Sequence, residues 1–139
     1  MIKTAACSCA NMAFMTGVHQ LSDVYKMALY GADADLDEDT QRYTTTGECT
    51  GQGYTAGGIA LTGYRAATVN KVACMTFLDP SWPKVSIKTG GALIYNSSRN
   101  GAALAVIRFD RVWVPQNGEF TPNFPAFTAT TSIIRLGKV

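Results

Sequence analysis

The chain has 139 residues, which is the size of one ordinary domain with a hydrophobic core of its own. Charged residues make up only 16% of it, well below the roughly 25% of an average soluble domain, and this favours a surface that is partly covered by partners. The net charge is +2 with no long basic run, so we expect no nucleic-acid binding.

We expect no signal peptide in the first 17 residues, because polar residues and two cysteines interrupt the apolar stretch. No run of apolar residues approaches the length of a membrane span, so we expect no membrane partner. The four cysteines, Cys7, Cys9, Cys49 and Cys74, are expected in a reducing cytoplasm. They are interpreted as small buried hydrophobic residues rather than as a disulfide framework.

A short helix is predicted within residues 3–17, in an N-terminal segment that spans residues 1–20. Ser8 is a candidate N-cap and Gly17 a candidate C-terminal stop. Met12, Phe14 and Met15 supply the apolar contacts of this helix. The segment either folds back on its own domain or reaches a neighbouring subunit.

Residues 21–139 are predicted to form a β domain. Strands are expected at residues 23–30, 59–66, 69–77, 85–88, 92–96, 102–109, 111–114, 119–124 and 132–136. The sequence Asn-Gly at residues 100–101 and again at 117–118 predicts two hairpins, because both residues tolerate positive φ. Residues 79–83 predict a turn, and Gly90-Gly91 a break between strands. The pattern indicates a mainly β protein, an antiparallel sandwich or jelly roll of about eight strands with a short N-terminal helix.

Catalytic and metal-binding patterns are weak. His19 is the one histidine, and its spacing from Cys7 and Cys9 matches no usual zinc site, so a turn or interface role is expected. The acidic loop at residues 33–39 lacks the glycine of a calcium loop at its sixth position, where Glu38 stands. A solvated loop is the favoured interpretation, with an irregular cation site as the alternative.

Two further features have a structural and a functional interpretation. The glycines of residues 51–58 lack the Gly-Lys-Ser/Thr ending of a phosphate loop, so close backbone packing explains them better. Trp82 and Trp113 are favoured as core or interface residues over sugar-stacking platforms. A carbohydrate-binding module or lysis-related enzyme is therefore a minor alternative. We expect no enzyme activity, no cofactor and no small-molecule substrate.

An ordered series of segments resembles a family of small tailed-bacteriophage virion proteins. The segments are M-T-G-V-H-Q-L-S-D-V-Y-K-M-A-L-Y at residues 15–30, D-L-D at 35–37, Y-T-T-T at 43–46, G-E at 47–48, G-Y-T-A-G-G at 53–58, G-A-L-I-Y-N at 91–96 and the apolar strand at 103–109. Together they span about residues 9–136. The Cys7-Ser8-Cys9 start and residues 108–114 depart from the family pattern.

This resemblance implies a structural role in the virion. The expected function is that of a jelly-roll cement or decoration protein, which binds the major capsid protein and stabilises the head. It implies a homo-oligomer (dimer or trimer) on the capsid surface, assembled in the host cytoplasm. The candidate interface residues are Met12, Phe14, Met15, Trp82 and Trp113. A tail, neck or fibre-adaptor subunit is the alternative, since the same fold would serve there.

Overall fold

The computed structural model describes residues 1–20 and 22–124, together with the backbone of residues 134–137. The described strands are β1 (Ala5–Ala6), β2 (Tyr25–Tyr30), β3 (Ile59–Ala60), β4 (Arg65–Val69), β5 (Val72–Thr76), β6 (Trp82–Val85), β7 (Thr89–Asn96), β8 (Ala102–Trp113), β9 (Gly118–Phe120) and β10 (Ile134–Gly137). The helix α1 spans Ser8–Met15, and one turn of 3-10 helix spans Ser97–Arg99. The predicted mainly β fold with a short N-terminal helix is confirmed, and several strands are only two to four residues long.

The strands form three antiparallel sheets. The largest has the order β1-β8-β7-β2-β3, a second has the order β10-β5-β4, and β6 pairs with β9. All eight residues of β7 are buried, because this central strand is covered on both faces of its sheet.

One face of the five-stranded sheet packs against the two smaller sheets. The larger sheet contributes Tyr25, Met27, Leu29, Ile94 and Leu104 to this cluster, and the smaller sheets contribute Met75, Trp82, Val85 and Phe120. Packing of sheets through a shared apolar layer is the arrangement of a β-sandwich. The jelly-roll order of strands stays a prediction.

The other face of the five-stranded sheet is covered by the N-terminal residues and by the loop that carries Leu36. Ile2, Cys7 and Ala10 are at most 1% exposed and pack with Leu36 and Val106. The strand β1 adds to the sheet by pairing with β8. Of the two arrangements considered for residues 1–20, the structure has the one in which they fold back on their own domain.

The sequence predicted the C-terminal end of α1 correctly and its N-terminal end incorrectly. Cys7, not Ser8, is the N-cap residue, and it makes no side-chain capping bond, so the predicted cap was wrong. The amide of Ser8 instead donates to the carbonyl oxygen of Glu38 at 2.8 Å. Gly17 has φ of +74° and donates to the carbonyl of Phe14, which confirms the predicted glycine stop.

The first Asn-Gly hairpin is confirmed and the second is wrong. Asn100 and Gly101 have φ of +62° and +74° and join β7 to β8. At the second position, the amide of Asn117 donates to the hydroxyl oxygen of Ser86 at 2.8 Å. This contact directs β9 to β6 rather than back along β8, so a non-local pairing replaces the predicted hairpin.

Other predicted boundaries also moved. The region predicted as two strands contains three, because residues 61–64 separate β3 from β4 and a turn at Asn70 and Lys71, both with positive φ, separates β4 from β5. Gly90 and Gly91 lie inside β7 instead of breaking it, and a Cβ atom at either position would lie 2.6 Å or less from a backbone atom of a neighbouring segment. The predicted turn at residues 79–83 ends earlier, since β6 begins at Trp82.

The C-terminal strand predicted at residues 132–136 is found as β10, and residues 132 and 133 lie outside the described residues. Cys7, Cys49 and Cys74 are buried thiols, as predicted, and Cys9 is a partly buried thiol. Within the described part of the chain, no helix combines the length and the apolar character needed to cross a membrane.

Candidate protein-binding surface

The helix α1 presents two methionines to solvent from a fixed position. Its inner side lies on β8, where the amide of Cys7 donates to the carbonyl of Leu104 at 2.8 Å and Ala10 is 1% exposed. On its outer side Met12 is 62% and Met15 is 82% exposed. The apolar side chains are thus held on a firmly docked helix and remain uncovered among the described residues.

Phe14 lies on the same helix but points into the fold. It is partly buried and its ring centroid is 4.8 Å from that of His19. His19 is 8% exposed, and burial lowers the pKa of its imidazole. The sequence predicted a turn or interface role for this histidine. The structure places it in the connection from α1 to β2, where its ring packs between Phe14 and Tyr25.

A polar cluster fixes this connection to the end of β7. One carboxylate oxygen of Asp23 accepts three hydrogen bonds. The donors are the side-chain amide of Asn96 at 2.8 Å, Nε of Arg99 at 3.0 Å and the backbone amide of Gln20 at 3.0 Å. The hydrogen bond from Arg99 is the main cause that lowers the pKa of Asp23 to about 2. Sequence reasoning missed this cluster, because Asp23 and Asn96 are distant in the chain and match no known motif.

The two tryptophans are placed differently from the methionines. Trp82 is 4% exposed in the sandwich core, with ring centroids 6.4 Å from Tyr54 and 6.2 Å from Phe120. Trp113 is partly buried, and the guanidinium of Arg111 lies 3.9 Å from its ring centroid. Trp82 therefore presents no free face for sugar stacking, and Arg111 covers one face of Trp113.

A cleft of about 820 Å³ lies beside the irregular pairing of β8 with β7. The pairing of β7 with β8 shifts between Thr89 and Gly91, since β8 uses five steps from Arg108 to Trp113 where β7 uses two. The cleft walls carry both signs of charge, with Arg108, Asp110, Arg111 and Glu119 among the lining residues. This mixture selects for no single class of ligand.

Glu48 is the centre of a hydrogen-bonded network that sequence reasoning did not find. Its carboxylate accepts from the hydroxyls of Tyr43 and Tyr54, each at 2.6 Å, and from the amide of Gly57 at 2.8 Å. Burial, followed by the bond to Glu48, raises the pKa of both tyrosines. The network fixes the glycine-rich segment to the sheet, where the Tyr95 hydroxyl also donates to the Gly57 carbonyl at 2.6 Å.

Three aspartates of the acidic loop face solvent, whereas Leu36 of the same loop is buried in the core. Asp33, Asp35 and Asp39 are exposed, and one oxygen of Asp37 is taken by the backbone amide of Asp39 at 2.9 Å. Among the described residues, no group of three or more histidine, cysteine or acidic side chains is placed to hold a metal ion.

Comparisons with known proteins add no assignment to this geometry. Neither the known protein families, nor the curated proteins, nor the solved structures gave a match to the chain.

Proposed function

We propose that this chain is a structural protein of a bacteriophage particle, a cement protein that binds the major capsid protein and stabilises the head. The observation that carries the proposal is the pair of exposed methionines, Met12 and Met15, on a helix whose opposite side is fixed to the sheet. The ordered resemblance of residues 9–136 to small tailed-phage virion proteins supports the choice of partner.

The chemistry of these side chains suits a protein partner. Methionine is flexible and polarizable, so it adapts to the relief of an apolar protein surface. Because α1 is already ordered, binding through Met12 and Met15 immobilises little besides the two side chains. An interface of about 800 Å² per partner is the usual size for a stable complex. Many copies on one shell would add avidity.

The location is tested on purified heads that lack tails. Quantitative mass spectrometry is expected to find many copies of the protein per head, comparable in number with the symmetry-related sites of the capsid. A handful of copies per head, or detection only in particles that carry tails, would overturn the assignment as a cement protein and favour a tail or neck subunit.

The binding surface is tested with paired substitutions. The double variant Met12→Gln/Met15→Gln is expected to bind undecorated heads at least about tenfold more weakly, since the apolar contribution of both side chains is lost. The control Met12→Leu/Met15→Leu keeps the apolar surface and is expected to bind nearly as well as the wild type. Equal binding by both variants would show that α1 is not the contact surface.

A further inference from the structure

The strand β4 is an exposed edge. It pairs only with β5 among the described strands, and Arg65, Ala66, Ala67 and Thr68 are all exposed. Its register with β5 is regular over five consecutive pairs, from Arg65 opposite Thr76 to Val69 opposite Val72. A flat, exposed strand of this length offers its outer backbone groups to another strand.

The turn between β4 and β5 determines which backbone groups face outward. Asn70 and Lys71 form a two-residue loop with φ of +48° and +69°, the type I′ geometry of a tight hairpin. In such a hairpin the flanking residues, here Val69 and Val72, form a hydrogen-bonded pair, and bonded pairs alternate with non-bonded ones. The amide and carbonyl groups of Ala66 and Thr68 therefore point away from β5.

The edge strands β1, β3 and β6 have protective features that β4 lacks. The strands β1 and β3, at the edges of the large sheet, have only two residues each. The strand β6 contains Pro83 and has an irregular register with β9. In contrast, β4 has no proline, no glycine and no shift in register, and its three central side chains are uncharged. Prolines, irregular registers, short strands and central charges protect natural edges against strand addition, and β4 lacks all four.

We propose that β4 pairs with β4 of a second copy of this chain, antiparallel and about a two-fold axis at Ala67. In this register Ala66 lies opposite Thr68 of the second copy and Thr68 opposite its Ala66, so all four outward amides and all four outward carbonyls of the two strands are paired. The two small Ala67 side chains meet at the close, non-bonded position, where Cα atoms are about 4.5 Å apart. The two three-stranded sheets become one continuous sheet.

The side chains of the edge are the reason for choosing a second copy as the occupant. With the axis at Ala67, the closely spaced pair consists of two small, uncharged side chains, and the outward groups of Ala66 pair with those of Thr68. Arg65 then lies opposite Val69 of the second copy, and no two like charges meet across the axis. Leu78, 64% exposed, packs beside Gly63 just before β4 and extends the apolar part of this edge. The proposal does not depend on the particle in which the protein functions.

Sedimentation velocity of the full chain tests the dimer. The wild type is expected to sediment as a monomer–dimer equilibrium at protein concentrations up to about 1 mM, because a five-residue strand pair is smaller than a standard interface. Thr68→Pro removes an outward amide and leaves the bonds to β5 intact, so it is expected to be monomeric with an unchanged circular dichroism spectrum. Ala67→Glu places like charges opposite each other and is expected to give the same result. Thr68→Val keeps the amide and is expected to remain dimeric.

A wild type that is monomeric throughout, or a dimer that persists in both Thr68→Pro and Ala67→Glu, would overturn the proposal. Binding of a different protein that is lost in Thr68→Pro, without self-association of the wild type, would also overturn it and would assign the edge to that protein. If Thr68→Pro fails to fold, Ala67→Glu decides the question, because its side chain is on an exposed position.

Disulfide trapping tests the register. A cysteine at position 67 would face its symmetry mate within the Cα separation that a disulfide spans. The test uses a Cys74→Ala background, because Cys74 lies opposite residue 67 on β5. On oxidation, Ala67→Cys is expected to give a covalent dimer on a non-reducing gel, whereas Ala66→Cys and Thr68→Cys, whose mates lie farther away, give much less. Equal trapping at the three positions would contradict the register, and no trapping at position 67 would contradict the pairing.

Discussion

The side-chain amide of Asn96 lies 3.0 Å from Nδ1 of His19, and both side chains are buried. Oδ1 of Asn96 accepts a hydrogen bond from the backbone amide of Ser98. The side-chain nitrogen of Asn96 is therefore the group that faces His19. Nδ1 of His19 is therefore an acceptor and carries no proton. The proton of the neutral ring is on Nε2, which is buried without a partner among the described residues.

We expect the protein to lose stability as the pH falls below the ordinary pKa of histidine, about 6.5. Burial is the main cause that lowers the folded-state pKa of His19, the nearby Arg99 lowers it further, and Asp23 opposes the shift. Between the folded and unfolded pKa values the unfolded chain binds more protons, so the free energy of unfolding rises with pH in that window. Urea denaturation between about pH 5 and pH 8 measures this slope.

The control for this prediction is His19→Gln, which has no group that titrates in the same range. Its unfolding free energy is expected to change less between about pH 5 and pH 7 than that of the wild type. Asp23, whose pKa is lowered to about 2, loses its contribution only at a lower pH and does not interfere. An equal slope in both proteins would show that His19 is not the titrating group.

Glu48→Ala is expected to destabilise the fold by about 2–4 kcal/mol. The substitution leaves the hydroxyls of Tyr43 and Tyr54 and the amide of Gly57 without their acceptor. Tyr43→Phe removes only one of these bonds and is expected to cost about 1 kcal/mol. The midpoint of urea denaturation measures both changes. A larger loss in Tyr43→Phe than in Glu48→Ala would contradict the central position of the carboxylate.

Gly58→Ala is expected to destabilise the fold by more than about 2 kcal/mol. Gly58 has φ of +81°, and a Cβ atom there would lie 1.8 Å from the carbonyl oxygen of Met27 in the middle of β2. The matched control is Gly118→Ala, where the nearest atom would be 3.8 Å away. Thermal unfolding compares the two, and a smaller effect at Gly58 than at Gly118 would mean that the glycine-rich segment does not approach β2 so closely.

The parts of the fold that local sequence determines were predictable. The strand β2 ends at Tyr30, where its apolar run ends, and Asn100-Gly101 supplies the positive φ angles that the hairpin of β7 and β8 needs. The interpretation of residues 51–58 as close backbone packing is confirmed at Gly51 and Gly58. Asn117 carries the same local signal as Asn100 and has φ of +50°, but the partner of the following strand is decided by a contact with Ser86, which no local pattern reveals.

The candidate surface was predicted in part, for a similar reason. The methionines of α1 are conspicuous in sequence, but their exposure depends on which side of the helix β8 covers. The sequence around Trp82 does not distinguish a core position from an interface position. The contact with Phe120 on the neighbouring strand β9, which places Trp82 in the core, depends on the tertiary fold. The Glu48 network and the exposed edge at β4 depend on tertiary pairing and were not predicted.

Removing residues 1–16 is expected to prevent stable folding rather than to release a detachable arm. Ile2, Cys7 and Ala10 are at most 1% exposed, and their loss would uncover the apolar face of β7 and β8 that includes Leu93 and Val106. Each large buried side chain that loses its packing costs about 2–5 kcal/mol, so the loss of several is comparable with the whole stability of a typical domain, about 5–15 kcal/mol. Circular dichroism and thermal unfolding of the truncated protein measure the outcome.

The full-length variant Met12→Gln/Met15→Gln is the matched control, because both side chains are exposed, and it is expected to unfold within a few degrees of the wild type. A truncated protein that unfolds at the wild-type temperature would show that residues 1–16 are dispensable for the core, and would favour the alternative in which this segment reaches a neighbouring subunit.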